Sequence, residues 1–193
     1  MRFVTKLGTA GLAGVSALAL AVVPAEASTA GHGGHPGHGG QVSGNEVLFG
    51  SLTGQAALSN SAVVPLTLRG LVNTSGAVNL GGPQNATHHT VFTFAGRIFV
   101  VTNSTPMQNT RVNPRNCFVV FTQRQTFQVV GGTRVFWGAS GPGQVRITFG
   151  AFVPRSPSGR CKVNANPVTS QGAFVKFFAS ITPLTIQFHH HHR

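Results

Sequence analysis

Along most of the chain, apolar residues recur at every second position, and glycine or proline punctuates the runs. From Phe118 to Val130, the side chains of Val119, Phe121, Gln123, Gln125, Phe127 and Val129 share one face; Thr122, Arg124, Thr126 and Gln128 share the other. The first face is therefore expected to point inward. From Val145 to Val153, Val145, Ile147, Phe149, Ala151 and Val153 share a face, and Arg146 and Thr148 point the other way. Gly131-Gly132 and Gly141-Pro142-Gly143 lie between these two runs, where glycine supplies the backbone angles a tight reversal needs. Further strands are expected at Val64 to Val72, Ala77 to Leu80, His88 to Ala95 and Arg97 to Thr102. Two more are expected at Phe174 to Ile181 and Leu184 to Phe188, divided at Pro183. Glu46 to Val64 predicts no regular element. About eight strands at hairpin spacing predict an all-β fold, a sandwich or an antiparallel barrel, and the barrel is favoured because closure leaves no exposed edge.

The first 27 residues break this pattern. Arg2 and Lys6 precede an apolar stretch from Leu7 to Val23, and Ala25-Glu26-Ala27 has the small-x-small form of a cleavage site. This is the arrangement of a secretory signal peptide, so residues 1–27 are expected to be removed and the mature protein to be extracellular. Residues 28–59 predict a flexible linker rich in glycine and histidine, residues 60–188 the barrel domain, and residues 189–193 a histidine-rich tail. No later apolar run has the length of a membrane span.

Phe127-Gln-Val-Val-Gly-Gly-Thr-Arg-Val-Phe-Trp-Gly-Ala-Ser-Gly-Pro-Gly143 resembles the hairpin signature of the allene oxide cyclase and dirigent barrel superfamily, Gly-Gly-Thr-Gly-x-Phe-x-x-Ala-x-Gly. Together with Asn113-Pro-Arg-Asn-Cys117 and a second cysteine, it looks like a secreted bacterial member of that type. The likeness covers roughly residues 60–188 and implies the barrel. Arg134 departs from it, standing where the superfamily has its last turn glycine. Dirigent proteins work with pocket aspartates and allene oxide cyclases with a pocket glutamate. This chain has no aspartate, and its one carboxylate beyond the presequence, Glu46, is expected to precede the barrel strands. The resemblance therefore implies fold and little chemistry.

Composition narrows the chemistry further. The chain holds 14 Lys plus Arg against two acidic residues, and no tyrosine. Paired-carboxylate glycoside hydrolysis, Ser-His-Asp catalysis and carboxylate-based calcium or magnesium sites are all disfavoured. The excess of arginine suits an anionic surface polymer, with Arg69, Arg124 and Arg146 as expected contacts, although the same spread of charge also describes a plain solvated exterior. It is too dispersed for a specific nucleic-acid stripe.

Inside the barrel, Phe121, Gln123, Gln125 and Phe127 are expected to line a site for a small apolar ligand, because amides on an apolar face need hydrogen-bond partners. Trp137 is either a stacking platform for that ligand or a plug for one barrel end. His32, His35 and His38, each set among glycines, form either a weak transition-metal site or a polar spacer, so no dedicated cofactor is expected. Cys117 and Cys161, the only cysteines, are expected to form a disulfide in an oxidising compartment; a reactive thiolate would need a neighbouring base. The function expected from these features is a non-catalytic secreted barrel that binds a small apolar ligand or an anionic polymer. The alternative is an isomerase or cyclase that acts by confinement.

Overall fold

A computed structural model describes residues 40–59, 61–80 and 87–188 of the 193-residue chain. The signal-like segment, His32, His35, His38 and the terminal histidines lie outside the described residues.

Among the described residues, nine strands form one antiparallel sheet: β1 (Gln41–Thr53), β2 (Val63–Gly70), β3 (Thr74–Asn79), β4 (His88–Thr93), β5 (Gly96–Thr102), β6 (Met107–Asn113), β7 (Phe118–Gly132), β8 (Gly141–Phe152) and β9 (Thr169–Gln187). Their order is β5-β4-β3-β2-β1-β9-β8-β7-β6, and a further β5–β7 pairing closes eight of them into a barrel. The expected all-β barrel is thus the observed architecture. Strand β6 stays outside the ring. The C-terminal half of β7 pairs with β5, from Ile98 opposite Gly132 to Thr102 opposite Phe127, and its N-terminal half pairs with β6. β5 and β6 therefore lie end to end along one side of β7, joined by residues 103–106.

The expected boundary at residue 60 is corrected by the pairing of β1. This 13-residue strand sits between β2 and β9 in the barrel wall, so the linker ends by Gly40. Its pattern hides it from the sequence. Glu46, Leu48, Gly50 and Leu52 fall on the inward side, while Val47 and Phe49 point outward, so a charge and a glycine occupy positions that alternation reserves for apolar residues. The irregularity in the β1–β9 pairing lies on β9, where Thr182 and Pro183 oppose the single residue Asn45, so the alternation of β1 itself runs unbroken from Gly44 through Glu46. At the other terminus, the two strands expected around Pro183 are one strand of 19 residues.

An eight-stranded barrel is just wide enough for side chains to fill. Here Leu68, Ile98, Val129, Phe136, Ile181 and Leu184, all nearly inaccessible, occupy the centre. The connections β2–β3, β4–β5 and β7–β8 gather at one end, hereafter the hairpin end; the connections β1–β2, β6–β7 and β8–β9 gather at the other, hereafter the loop end.

The Gly-Gly hairpin closes the hairpin end. Residues 134–136 make a single 3-10 turn, and the amide of Val135 donates to Ala95 O at 3.3 Å. This drives Phe136, fully buried, into the barrel mouth, so the plug expected at Trp137 is its neighbour. Trp137 itself is 53 % exposed. Gly132 is required by proximity, since a Cβ there would lie 2.5 Å from both Arg97 O and Phe136 Cβ. Gly132→Ala is expected to destabilise the fold by about 1–3 kcal/mol, the range for overpacking, as read by urea denaturation. Arg134 has φ +57°, the left-handed conformation that costs a non-glycine residue about 1–2 kcal/mol. The superfamily glycine absent here thus corresponds to a backbone position that favours glycine.

At the loop end, Cys117 and Cys161 form the expected disulfide, with Cα atoms 5.3 Å apart. It ties the β8–β9 connection to the β6–β7 turn. Arg155 reinforces the same junction, donating to the carbonyls of Gly159, Pro114 and Arg115 at 2.7, 2.8 and 2.6 Å.

Candidate functional site

Two features stand out against the ordinary packing: a carboxylate inside the barrel and a basic row on its outer wall.

Glu46 is the only acidic side chain among the described residues, and it is completely buried. The alternation of β1 turns it inward, and the bulge of β9 at Thr182-Pro183 sets the register that places it between Gly70 of β2 and Ile181 of β9. Its Oε2 accepts a hydrogen bond from the amide of Val72 at 2.9 Å, in the β2–β3 turn. Its Oε1 is buried with no hydrogen-bond partner. Desolvation raises its pKa from 4.5 to about 7; the backbone amides of Val72 and Leu71 pull the other way and only partly offset it. The expectation that Glu46 precedes the barrel is therefore corrected. The sequence contained the signal, a lone acid in an apolar run, but not the register that buries it.

On the wall, residues 122, 124 and 126 of β7 and 144, 146 and 148 of β8 face outward, because their odd-numbered neighbours pack inward. Arg124 stands directly opposite Arg146. Cβ atoms of opposed cross-strand residues lie about 4.5–5.5 Å apart, and like charges so placed repel. Both arginines are exposed. The row continues on one side to Met107, which is 70 % exposed, and on the other to Phe178 and then Phe49, 50 % and 39 % exposed. Lys176 lies two residues along β9 from Phe178 on the same side, its Nζ 5.5 Å from the Phe174 ring centroid. Arg69 also points outward, but it is on β2, three strands from Arg146, about 14 Å at ordinary strand spacing. The fold thus brings Arg124 and Arg146 together and leaves Arg69 apart.

The residues expected to hold an apolar ligand are more scattered. Phe127 belongs to the packed core, its ring against Gly143. Phe121 is half-buried and meets Phe149 across the strands at a centroid distance of 6.4 Å. The Gln125 amide donates to Ser104 O at 2.8 Å, and Thr126 bonds Ser104 and Asn103, so this part of β7 anchors the connection between β5 and β6. Gln123 is half-buried, opposite Gln108 and Ile147. An open groove at the loop end, lined by Thr53, Gly54, Gln171, Phe174 and Lys176 among others, includes none of Phe121, Gln123, Gln125, Phe127 or Trp137. Among the described residues, no group of three or more His, Cys, Asp or Glu is placed to hold a metal ion, and no helix is long and apolar enough to cross a membrane.

Fold and site together define a closed eight-stranded antiparallel barrel with one buried acid and a basic outer row. No protein-family model, curated protein or solved structure matches the chain. What is shown is the eight-stranded antiparallel barrel, an architecture compatible with the barrel superfamily that the hairpin from Phe127 to Gly143 resembles.

Proposed function

We propose that this is a secreted barrel protein that binds an anionic surface polymer through the outer row centred on Arg124 and Arg146. The observation that carries the reading is the direct opposition of two exposed arginines, with the only described carboxylate buried in the interior. Such a pair costs folding energy in the free protein and is relieved by a phosphate, sulfate or carboxylate placed between the two guanidinium groups, which bind such anions in bidentate fashion. Exposed Phe178 and Phe49 beside them offer apolar contact to the polymer backbone. The packing of Leu68, Ile98, Val129, Phe136, Ile181 and Leu184 in the barrel centre supports this reading over storage of an apolar ligand there. Secretion is supported by the signal-like first 27 residues and by the Cys117–Cys161 bond, which suits an oxidising compartment.

Heparin and inorganic polyphosphate are suitable probes. Binding is expected to weaken steeply with added salt and to fall about tenfold or more in Arg124→Gln/Arg146→Gln, while that variant is no less stable than the parent. Salt-insensitive binding, or undiminished affinity in the double variant, would reject the reading.

A second reading, an isomerase or cyclase of the allene oxide cyclase type, gains support from Glu46. An acid with a pKa near 7 and one unpaired oxygen is suited to proton transfer, so such an enzyme would not depend on confinement alone. Turnover of that kind would survive in high salt, where polymer binding is lost.

A further inference from the structure

The hairpin end carries a second surface, remote in chemistry from the arginine row. Phe94 in the β4–β5 turn is 82 % exposed, and Val135 and Trp137 beside the buried Phe136 are 42 % and 53 % exposed. Phe94 and Val135 belong to one surface, since the amide of Val135 bonds Ala95 O and that of Thr133 bonds Arg97 O; Trp137 lies two residues on at the same barrel end, its carbonyl accepting from the Gln187 amide at 3.2 Å. Two exposed cations flank it. Arg97 rests its guanidinium 5.3 Å from the Phe92 ring centroid, and Arg134 rises from the left-handed turn position, its Cβ 3.2 Å from where a Cβ on Gly96 would lie. An arginine with φ +57° carries backbone strain of the kind that clusters at functional surfaces.

We propose that the hairpin end is a docking surface for anionic phospholipid bilayers: Phe94, Val135 and Trp137 enter the interfacial layer while Arg97 and Arg134 meet headgroup phosphates. Indole and phenyl rings partition to that layer, and each basic side chain near an anionic leaflet adds attraction. Charge complementarity selects the anionic surface, because no described carboxylate opposes it there. The barrel docks and does not span. A spanning barrel needs a continuous outward apolar band, and the outward positions Thr122, Arg124, Thr126, Gln144 and Arg146 interrupt one. This surface and this ligand are separate from the polymer reading, and either stands if the other fails.

Trp137 is the only tryptophan, so the full-length protein reports on its own docking. With vesicles of phosphatidylglycerol and phosphatidylcholine, its emission is expected to shift to the blue and to be quenched by lipids brominated in the acyl chain. Pure phosphatidylcholine vesicles are expected to do much less. Phe94→Ser is expected to reduce partitioning about tenfold or more. Arg134→Gly is expected to weaken partitioning while raising the denaturation midpoint, which separates loss of docking from loss of folding. Arg124→Gln/Arg146→Gln is expected to keep it. Absence of any shift or quenching, or docking that survives Phe94→Ser and Arg134→Gly but is lost with Arg124→Gln/Arg146→Gln, would overturn the proposal.

Discussion

Replacing Cys117 and Cys161 together by alanine is expected to lower the free energy of unfolding by about 4 kcal/mol, the chain-entropy value for a loop closed across a sequence separation of 44. That loss is global, because the bridge acts on the unfolded chain, and the folded structure is loosened mainly at the loop end. There the sulfur bridge fixes a connection, residues 153–168, that otherwise contacts the sheet through a few backbone bonds, such as Val153 to Cys117 O at 3.0 Å and Val168 to Phe152 O at 3.0 Å. Arg155, through its bonds to Pro114 O and Arg115 O, and the Val153 amide on Cys117 O would then hold the β6–β7 turn to this connection. Hydrogen exchange is expected to be fastest in residues 114–117 and 154–168, while amides of the β5–β7 closure remain the slowest but lose protection in step with the global loss. Guanidinium denaturation of the double variant checks the magnitude. A loss of less than about 1 kcal/mol would mean that the Arg155 contacts already fix this connection and that the bridge adds little.

What could be read from the sequence followed one physical condition: a strand is legible when one of its faces is buried and the other wet. β7 and β8 meet it, and their alternation gave the inward Phe127 and Val129 and the outward Arg124 and Arg146 without coordinates. β6 fails it in one way. All seven of its residues are exposed, so it has no apolar face, and it exists because the N-terminal half of β7 offers an unpaired edge. β1 fails in the opposite way, with an acid and a glycine directed inward and Phe49 directed out. The count of eight strands was right only because one missed barrel strand, β1, balanced the division of β9 at Pro183.

The candidate site was legible to a similar extent. Arginines on the outer face follow from periodicity, but the opposition of Arg124 and Arg146 is a matter of inter-strand register, set by the length of the β7–β8 connection. The bond from the Gln125 amide to the carbonyl of Ser104 was not legible, because nothing in the sequence fixes where a loop folds back. Phe136, not Trp137, closes the barrel mouth since the left-handed turn at Arg134 rotates the following residues by an amount that strand alternation does not anticipate.

Stability is expected to fall by about 3 kcal/mol as pH rises from 4.5 to about 7, through the single group Glu46. Below 4.5 the carboxyl is protonated in the folded and unfolded chains alike, and it contributes no pH dependence. Between 4.5 and about 7 the unfolded chain releases the proton while the buried, desolvated group retains it, so the unfolded state binds fewer protons and each rise in pH favours unfolding. Above about 7 both states are ionised and the dependence ends, leaving a buried charge held by the Val72 amide, with Oε1 unpaired. Glu46→Gln keeps an oxygen for the Val72 amide and removes the titration. The variant is expected to show a flat profile across this window and to be at least as stable as the parent at pH 8, because an unpaired buried amide costs about 1–3 kcal/mol, no more than the ionised carboxyl it replaces. Urea midpoints at several pH values from 4 to 8 test both statements. A parent protein whose stability rises across the window, or a slope unchanged in Glu46→Gln, would mean that water or a bound cation reaches Oε1 and keeps the carboxylate solvated, and Glu46 would then have no raised pKa with which to exchange protons near neutrality.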